Sequence, residues 1–222
     1  MIVSEEKALK DILEILTPYT DVAIVGCSGC YGVGMLKNVE RLADKLEAAG
    51  KRIVAKGATG RQCSWFWKPV EVGLDLVAQN TKGIEAGELE KAEAILSLAC
   101  GVGVQTLAKA ADSKFVVPAT DTKFMGRREE AMFYEQCMAC GNCILHSTGG
   151  ICPVTRCPKA HMNGPCGGVY NGKCEVNREN DCAWVLIYDR LSSMGKVELM
   201  KDKKSPKDFS LRTHPRRTEA EA

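Results

Sequence analysis

Twelve cysteines in a chain of 222 residues dominate the chemistry this sequence can perform. Eight of them fall between Cys137 and Cys182. The run Cys137-Met-Ala-Cys140-Gly-Asn-Cys143 sets three thiols two residues apart. A loop with that spacing can wrap a cubane iron–sulfur cluster, each sulfur reaching a different iron. Cys152-Pro, Cys157-Pro, Cys166, Cys174 and Cys182 follow. Cys-Pro is a common form of the remote fourth ligand in ferredoxin-type sites. The spacing predicts a [4Fe–4S] cluster on Cys137, Cys140 and Cys143, completed by Cys157 or Cys182. The four thiols left over would hold a second cluster or a zinc ion, and their spacing does not pair them. A disulfide framework is the alternative, and it needs an oxidising compartment.

The other four cysteines depend on what positions them. Residues 21–25 form a short apolar run that reads as a buried strand and empties into Gly26-Cys27-Ser28-Gly29-Cys30. Residues 52–55 and 94–98 repeat the pattern, followed by Gly57-Ala-Thr-Gly60 with Cys63, and by Cys100-Gly-Val-Gly103. Residues 115–117 make a fourth strand. Helices are expected from Ser4 as N-cap through Leu9, Ile12, Leu13 and Leu16, from Leu36 to Gly50, near residues 70–80, and through Leu107, with a charged linker between the third of these and residue 94. Strand, glycine loop and helix in alternation predict an α/β, Rossmann-like, doubly wound parallel sheet. In such a sheet Cys27, Cys30, Cys63 and Cys100 all follow strands and emerge at one carboxyl edge, where these folds hold ligands. The expectation is one [4Fe–4S] cluster there. The competing reading is that buried cysteines serve as small core residues. Gly29, Gly32 and Gly34 also suggest a phosphate-binding turn, but the dinucleotide spacing is missing.

The expected organisation is an α/β domain over residues 1–123, a cysteine-rich metal-stabilised module over 124–195 and a basic tail over 196–222. Residues 124–135 read as a charged connector, Trp65-Phe66-Trp67 as core, and the tail as poorly ordered or wrapped by a partner. Few apolar residues precede the helix expected from Trp184, Ile187, Tyr188 and Leu191, so bound metal should supply stability the module lacks. A formal net charge of +2 gives no reason to expect nucleic acid. No stretch has the length of a membrane span and no secretory signal is visible, so a cytoplasmic location with reduced thiols is expected. Of three histidines, His146 and His161 are candidate ligands, though hydrogen-bonding or surface roles suit them better beside so many thiols. No nucleophile–base arrangement, paired carboxylates or P-loop is visible, so catalysis within this chain is not expected.

Thr148-Gly-Gly-Ile-Cys152-Pro, Cys157-Pro-Lys-Ala-His-Met-Asn163-Gly-Pro-Cys166-Gly-Gly and Cys174-Glu…Cys182-Ala-Trp184…Tyr188-Asp-Arg-Leu191 resemble the C-terminal cysteine domain associated with methylenetetrahydrofolate reductase. With the Cys27-x-x-Cys30 half in front, the chain resembles the small metal-binding subunits of that enzyme in acetogenic anaerobes. The match is dense over residues 137–191 and looser over 20–110. The resemblance implies electron transfer in one-carbon metabolism of the Wood–Ljungdahl type. It implies two or three [4Fe–4S] clusters here, with zinc as an option in the C-terminal module. It also implies a TIM-barrel reductase partner carrying the FMN or FAD, and ferredoxin or an NADH-oxidising module as donor. Two other readings stay open: a structural zinc-binding assembly subunit, and an iron–sulfur subunit of another one-carbon or corrinoid enzyme.

Overall fold

The computed structural model describes residues 1–30, 34, 36–66 and 71–217. The chain divides into two compact units, Met1–Phe124 and Met125–Ala222.

The first unit is built on a four-stranded parallel sheet of β2 (Asp21–Cys27), β3 (Arg52–Thr59), β4 (Ala94–Leu98) and β5 (Phe115–Pro118), in the order β3-β2-β4-β5. Side chains alternate between the two faces of β2. Val22 and Ile24 join the core made with α1 (Leu9–Ile15) and α2 (Leu36–Ala48), through Ile12, Leu42 and Leu46. Ala23 and Val25 join the opposite core with α3 (Leu74–Gln79), α4 (Ala86–Glu90) and α5 (Gly101–Ala111), through Val77, Leu89 and Leu107. Helices therefore cover both faces, as the α/β expectation required. Trp65 is buried in that second core with Phe66 packed against it, while Trp67 lies outside the described residues.

Three expectations are corrected here. Ser4 does not cap a helix. It lies in β1 (Ile2–Glu6), which neighbours β6 (Thr120–Glu129), and α1 starts after Ala8 without a side-chain cap. The Lys7 N–H donates to the Ala119 carbonyl at 2.9 Å, and Lys7–Asp121 and Lys123–Glu5 ion pairs flank it. β-Branched Ile2 and Val3 found a strand partner, and that outweighed the capping preference of a serine. The charged stretch before β4 is not only a linker. It holds α4, started by a capping box in which Glu85 and Glu88 each accept from the other's backbone N–H. The stretch read as a connector is the hairpin of β6 and β7 (Met132–Cys137), antiparallel from Glu129↔Met132 to Met125↔Cys137. Runs of exposed charged side chains conceal a strand when only composition is read.

The second unit has a small core: Cys182, Trp184, Ile187 and Leu191, with a few partly buried neighbours. Three of these lie on α7 (Ala183–Ser193), and Trp184 Nε1 donates to the His161 carbonyl at 2.9 Å. Tyr188, expected on the packed face, is 51% exposed. Part of the tail is locally ordered. Residues 209–212 form a 3₁₀ turn capped by Asp208, whose carboxylate accepts from the Ser210 N–H at 2.9 Å. Among the described residues no helix is long and apolar enough to cross a membrane.

Candidate metal centres

β2 and β4 are neighbours, yet the chain leaves β2 toward β3 on one side before returning to β4 on the other. That reversal opens a crevice at their carboxyl ends, the place where parallel sheets bind ligands. Cys27 ends β2, and Cys100 is the N-cap of α5 after β4. Gly34 closes the crevice from within: a Cβ there would stand 2.1 Å from the Cys27 carbonyl oxygen and 2.4 Å from that of Leu98. Gly32, the middle glycine of the supposed phosphate turn, lies outside the described residues. Cys63 arrives from a 3₁₀ turn at residues 62–64 that follows β3.

Cys27, Cys30, Cys63 and Cys100 line one pocket of ≈ 50 Å³. Burial pushes the Cys27 thiol up, and the neighbouring Cys100 and Cys63 add to that; backbone N–H groups of Gln62 and Gly29 oppose it. Thiols whose charges disfavour one another are a donor set that a cation would relieve. Two residues that the sequence did not mark as site residues lie in or beside this pocket. Ser4 also lines the pocket, and its Oγ is buried without a hydrogen-bond partner among the described residues. Gln62 is fully buried with both amide atoms unpartnered among the described residues, its Oε1 2.7 Å from where a Gly103 Cβ would stand. Buried polar atoms without partners cost about 1–3 kcal/mol each, so their presence beside four thiols fits a polar guest.

In the second unit, Cys137, Cys140 and Cys143 line a pocket of ≈ 330 Å³ together with Cys152. Ala139 (φ 52°) and Gly141 (φ 82°) take left-handed backbone inside this loop. For Ala139 that conformation is strained, a feature associated with ligand-wrapping loops. The Ala139 N–H donates to Cys137 Sγ at 3.3 Å. Burial raises the Cys140 pKa, but an Asn142 backbone N–H and the Lys207 ammonium outweigh it and hold the thiol below its ordinary value. Lys207 belongs to the tail, and its ammonium donates to the Asn142 carbonyl. Farther along the tail, Leu211 sits over Gly141, where a Cβ would stand 2.8 Å from its own, and Arg216 donates to the Ala139 carbonyl at 2.7 Å. The tail is thus a strap across the cysteine loop, not a free end.

The remaining four, Cys157, Cys166, Cys174 and Cys182, line a third pocket of ≈ 20 Å³. The loop is held by Cys174 N–H to Asn180 O at 2.9 Å and Cys182 N–H to Gly172 O at 2.8 Å. Backbone N–H groups of Asn177 and Val176, with Arg178 and Lys159 nearby, pull the Cys174 pKa down. The structure therefore groups Cys152, and neither Cys157 nor Cys182, with the closely spaced triplet. The cause is α6 (Pro153–Arg156), a single turn with Cys152 at its start and Cys157 at its end, so the two thiols part. No histidine is among the side chains lining these three pockets. Among the described residues no three His, Cys, Asp or Glu side chains converge closely enough to grip a single ion. The thiols line cups instead of closed coordination spheres. All-thiolate donor sets suit iron–sulfur clusters or zinc.

No curated protein and no solved structure matches the chain. Residues 117–210 match the family model described as methylene-tetrahydrofolate reductase C terminal. The matched stretch contains all eight cysteines of the second unit and runs past Leu191, where the resemblance read from the residues ended, to include Lys207 of the strap. This region of the chain is similar to the methylenetetrahydrofolate reductase C-terminal family.

Proposed function

We propose that the chain is a MetV-type electron-transfer subunit of a methylenetetrahydrofolate reductase complex. Cys27, Cys30, Cys63 and Cys100 hold one [4Fe–4S] cluster, and Cys137, Cys140, Cys143 and Cys152 a second. Cys157, Cys166, Cys174 and Cys182 hold a zinc ion. The observation that carries this reading is the sorting of twelve thiols into three pockets of four. The similarity of residues 117–210 to the reductase family supports the choice of complex. The third pocket, ≈ 20 Å³ against ≈ 330 Å³ for the second, favours a single ion over a cluster, and its four thiols would close inward to grip one.

Bound clusters of this type accept and release single electrons. The chain's own residues bind and bias them. Thiolates supply the ligands, and the N–H of Ala139 and the ammonium of Lys207 place positive charge beside the second pocket, favouring the form with the extra electron. Ser4 offers a hydroxyl to the first pocket, and the Gln62 amide lies beside Gly103 of its lining. The electrons would come from ferredoxin or an NADH-oxidising module and pass to the flavin of a partner chain, which reduces the methylene group of the folate to methyl. The test is reduction of that partner's flavin by reduced ferredoxin, with and without this chain. Faster reduction with the chain present supports the reading. An equal rate without it leaves the structural assembly role.

A further inference from the structure

A second kind of pocket lies in the same unit as the strap and has no thiol quartet of its own. It measures ≈ 680 Å³ and is lined by, among others, Arg127, Tyr134, Cys152, Arg156, Asp181 and Arg190. Its charges do not cancel. Arg127 pairs with Glu129, and Asp181 with Lys173 at 2.6 Å. Among the described residues neither Arg156 nor Arg190 forms an ion pair; Arg156 acts on Asp181 only through space. Two guanidinium groups are thus left for a guest. Their positions are fixed by the backbone. Arg156 is one turn beyond Cys152, its N–H donating to the Cys152 carbonyl at 3.0 Å. The aliphatic stem of Arg190 lies on Gly149, a left-handed glycine (φ 61°) whose Cβ would meet Arg190 Cγ at 2.9 Å.

Cys152 lines both this cationic pocket and the pocket of Cys137, Cys140 and Cys143. Whatever sits among the arginines is therefore separated from the second thiol quartet by a single ligand side chain. The surface continues beyond the pocket. Met132, Tyr134 and Gln136 share one face of β7, the latter two line the pocket, and Met132 is 59% exposed past it. Arginine, tyrosine and methionine are the residues that protein interfaces concentrate.

We infer that this arginine-lined surface is the docking site of an acidic electron-carrier protein, whose carboxylates seat on Arg156 and Arg190 and bring its redox centre against Cys152. The inference rests on the electron-transfer reading above. It assigns that reading an entry point, and charge complementarity sets both orientation and association rate.

The experiment uses the full chain, loaded with metal anaerobically, and an acidic bacterial ferredoxin in its oxidised form as probe. Calorimetric affinity is measured at low and high salt for the native chain, for Arg156→Glu/Arg190→Glu and for Arg156→Gln/Arg190→Gln. The expected result is a loss of about tenfold or more at low salt for the Glu pair, a smaller loss for the Gln pair, and convergence at high salt. Iron content and reduction by methyl viologen, a cationic donor that needs no anion site, should stay unchanged in both variants. Unaltered ferredoxin affinity in the Glu pair overturns the proposal. So does stoichiometric binding of inorganic pyrophosphate that displaces ferredoxin, which makes the pocket a small-anion site. A native chain that holds no iron and takes no electrons from viologen refutes the electron-transfer reading itself, a different outcome from misplaced docking.

Discussion

The first thiol quartet sits in a scaffold that folds for its own reasons, whereas the second unit is arranged around its thiols. Around Cys27 a parallel sheet is covered on both faces by helices with fully buried leucines and isoleucines. Burial there pushes the Cys27 thiol up. Around Cys140 and Cys174 the apolar core among the described residues shrinks to a small cluster on and beside α7, and backbone N–H groups with Lys207 or Arg178 bring the thiol pKa values down. In the first case the fold places the ligands. In the second the ligands sit in loops that little else secures, with the thiolate form favoured at Cys140 and Cys174.

The largest expected effect follows from that contrast. Stripping metal with a chelator should unfold most of the second unit and leave the first intact. Hydrogen exchange should then show protection lost over the 137–182 region and retained in β2 and β4. A second unit that keeps its protection without metal would erase the difference between the halves.

Single-cysteine substitutions sharpen the comparison. Cys63→Ser and Cys152→Ser should each remove close to one cluster's iron, and each should spare the other pocket. Cys182→Ser should release zinc and leave iron unchanged. If Cys182→Ser costs iron while Cys152→Ser does not, the grouping of the second unit's thiols is wrong.

The strap should have a smaller effect. Removing residues 205–222 takes away Lys207, Leu211 and Arg216 together, and iron loss from the second pocket in air should speed up several-fold. Lys207→Gln alone should reproduce part of it. The first pocket's loss rate is the internal control and should not move.

The smallest effect is on the free thiols. In metal-free protein the intact first unit keeps the Cys27 pKa raised by burial, while Cys140 and Cys174, in a second unit that has lost its structure, are solvent-exposed thiols. As pH rises, the thiolate form appears first at Cys140 and Cys174, so iodoacetamide should label them at lower pH than Cys27. The reverse order would contradict the electrostatic contrast.

How much of this was legible before the structure depended on the range of the interactions. Strand–glycine–helix repeats are local, and residues 21–25, 52–55, 94–98 and 115–117 all fall in the observed parallel strands. The shared edge for Cys27, Cys30, Cys63 and Cys100 follows from topology alone. The grouping of the other eight does not, because it depends on one short turn, α6, and on bringing the N-cap of α7 back to Cys157, Cys166 and Cys174. The strap was illegible for the same reason. Lys207 is 65 residues from its acceptor Asn142, and nothing in a basic, proline-containing tail marks where it lands. Ser4 read as a helix cap and Gln62 carried no signal, since a buried atom left without a partner exists only once the fold is built.

Metal and sulfide content of the anaerobically purified native chain tests the central claim most directly. Three pockets of four thiols, two for clusters and one for a single ion, predict about eight iron, about eight acid-labile sulfide and about one zinc per chain. About three zinc with no sulfide would contradict the electron-transfer account and leave a protein held together by metal alone.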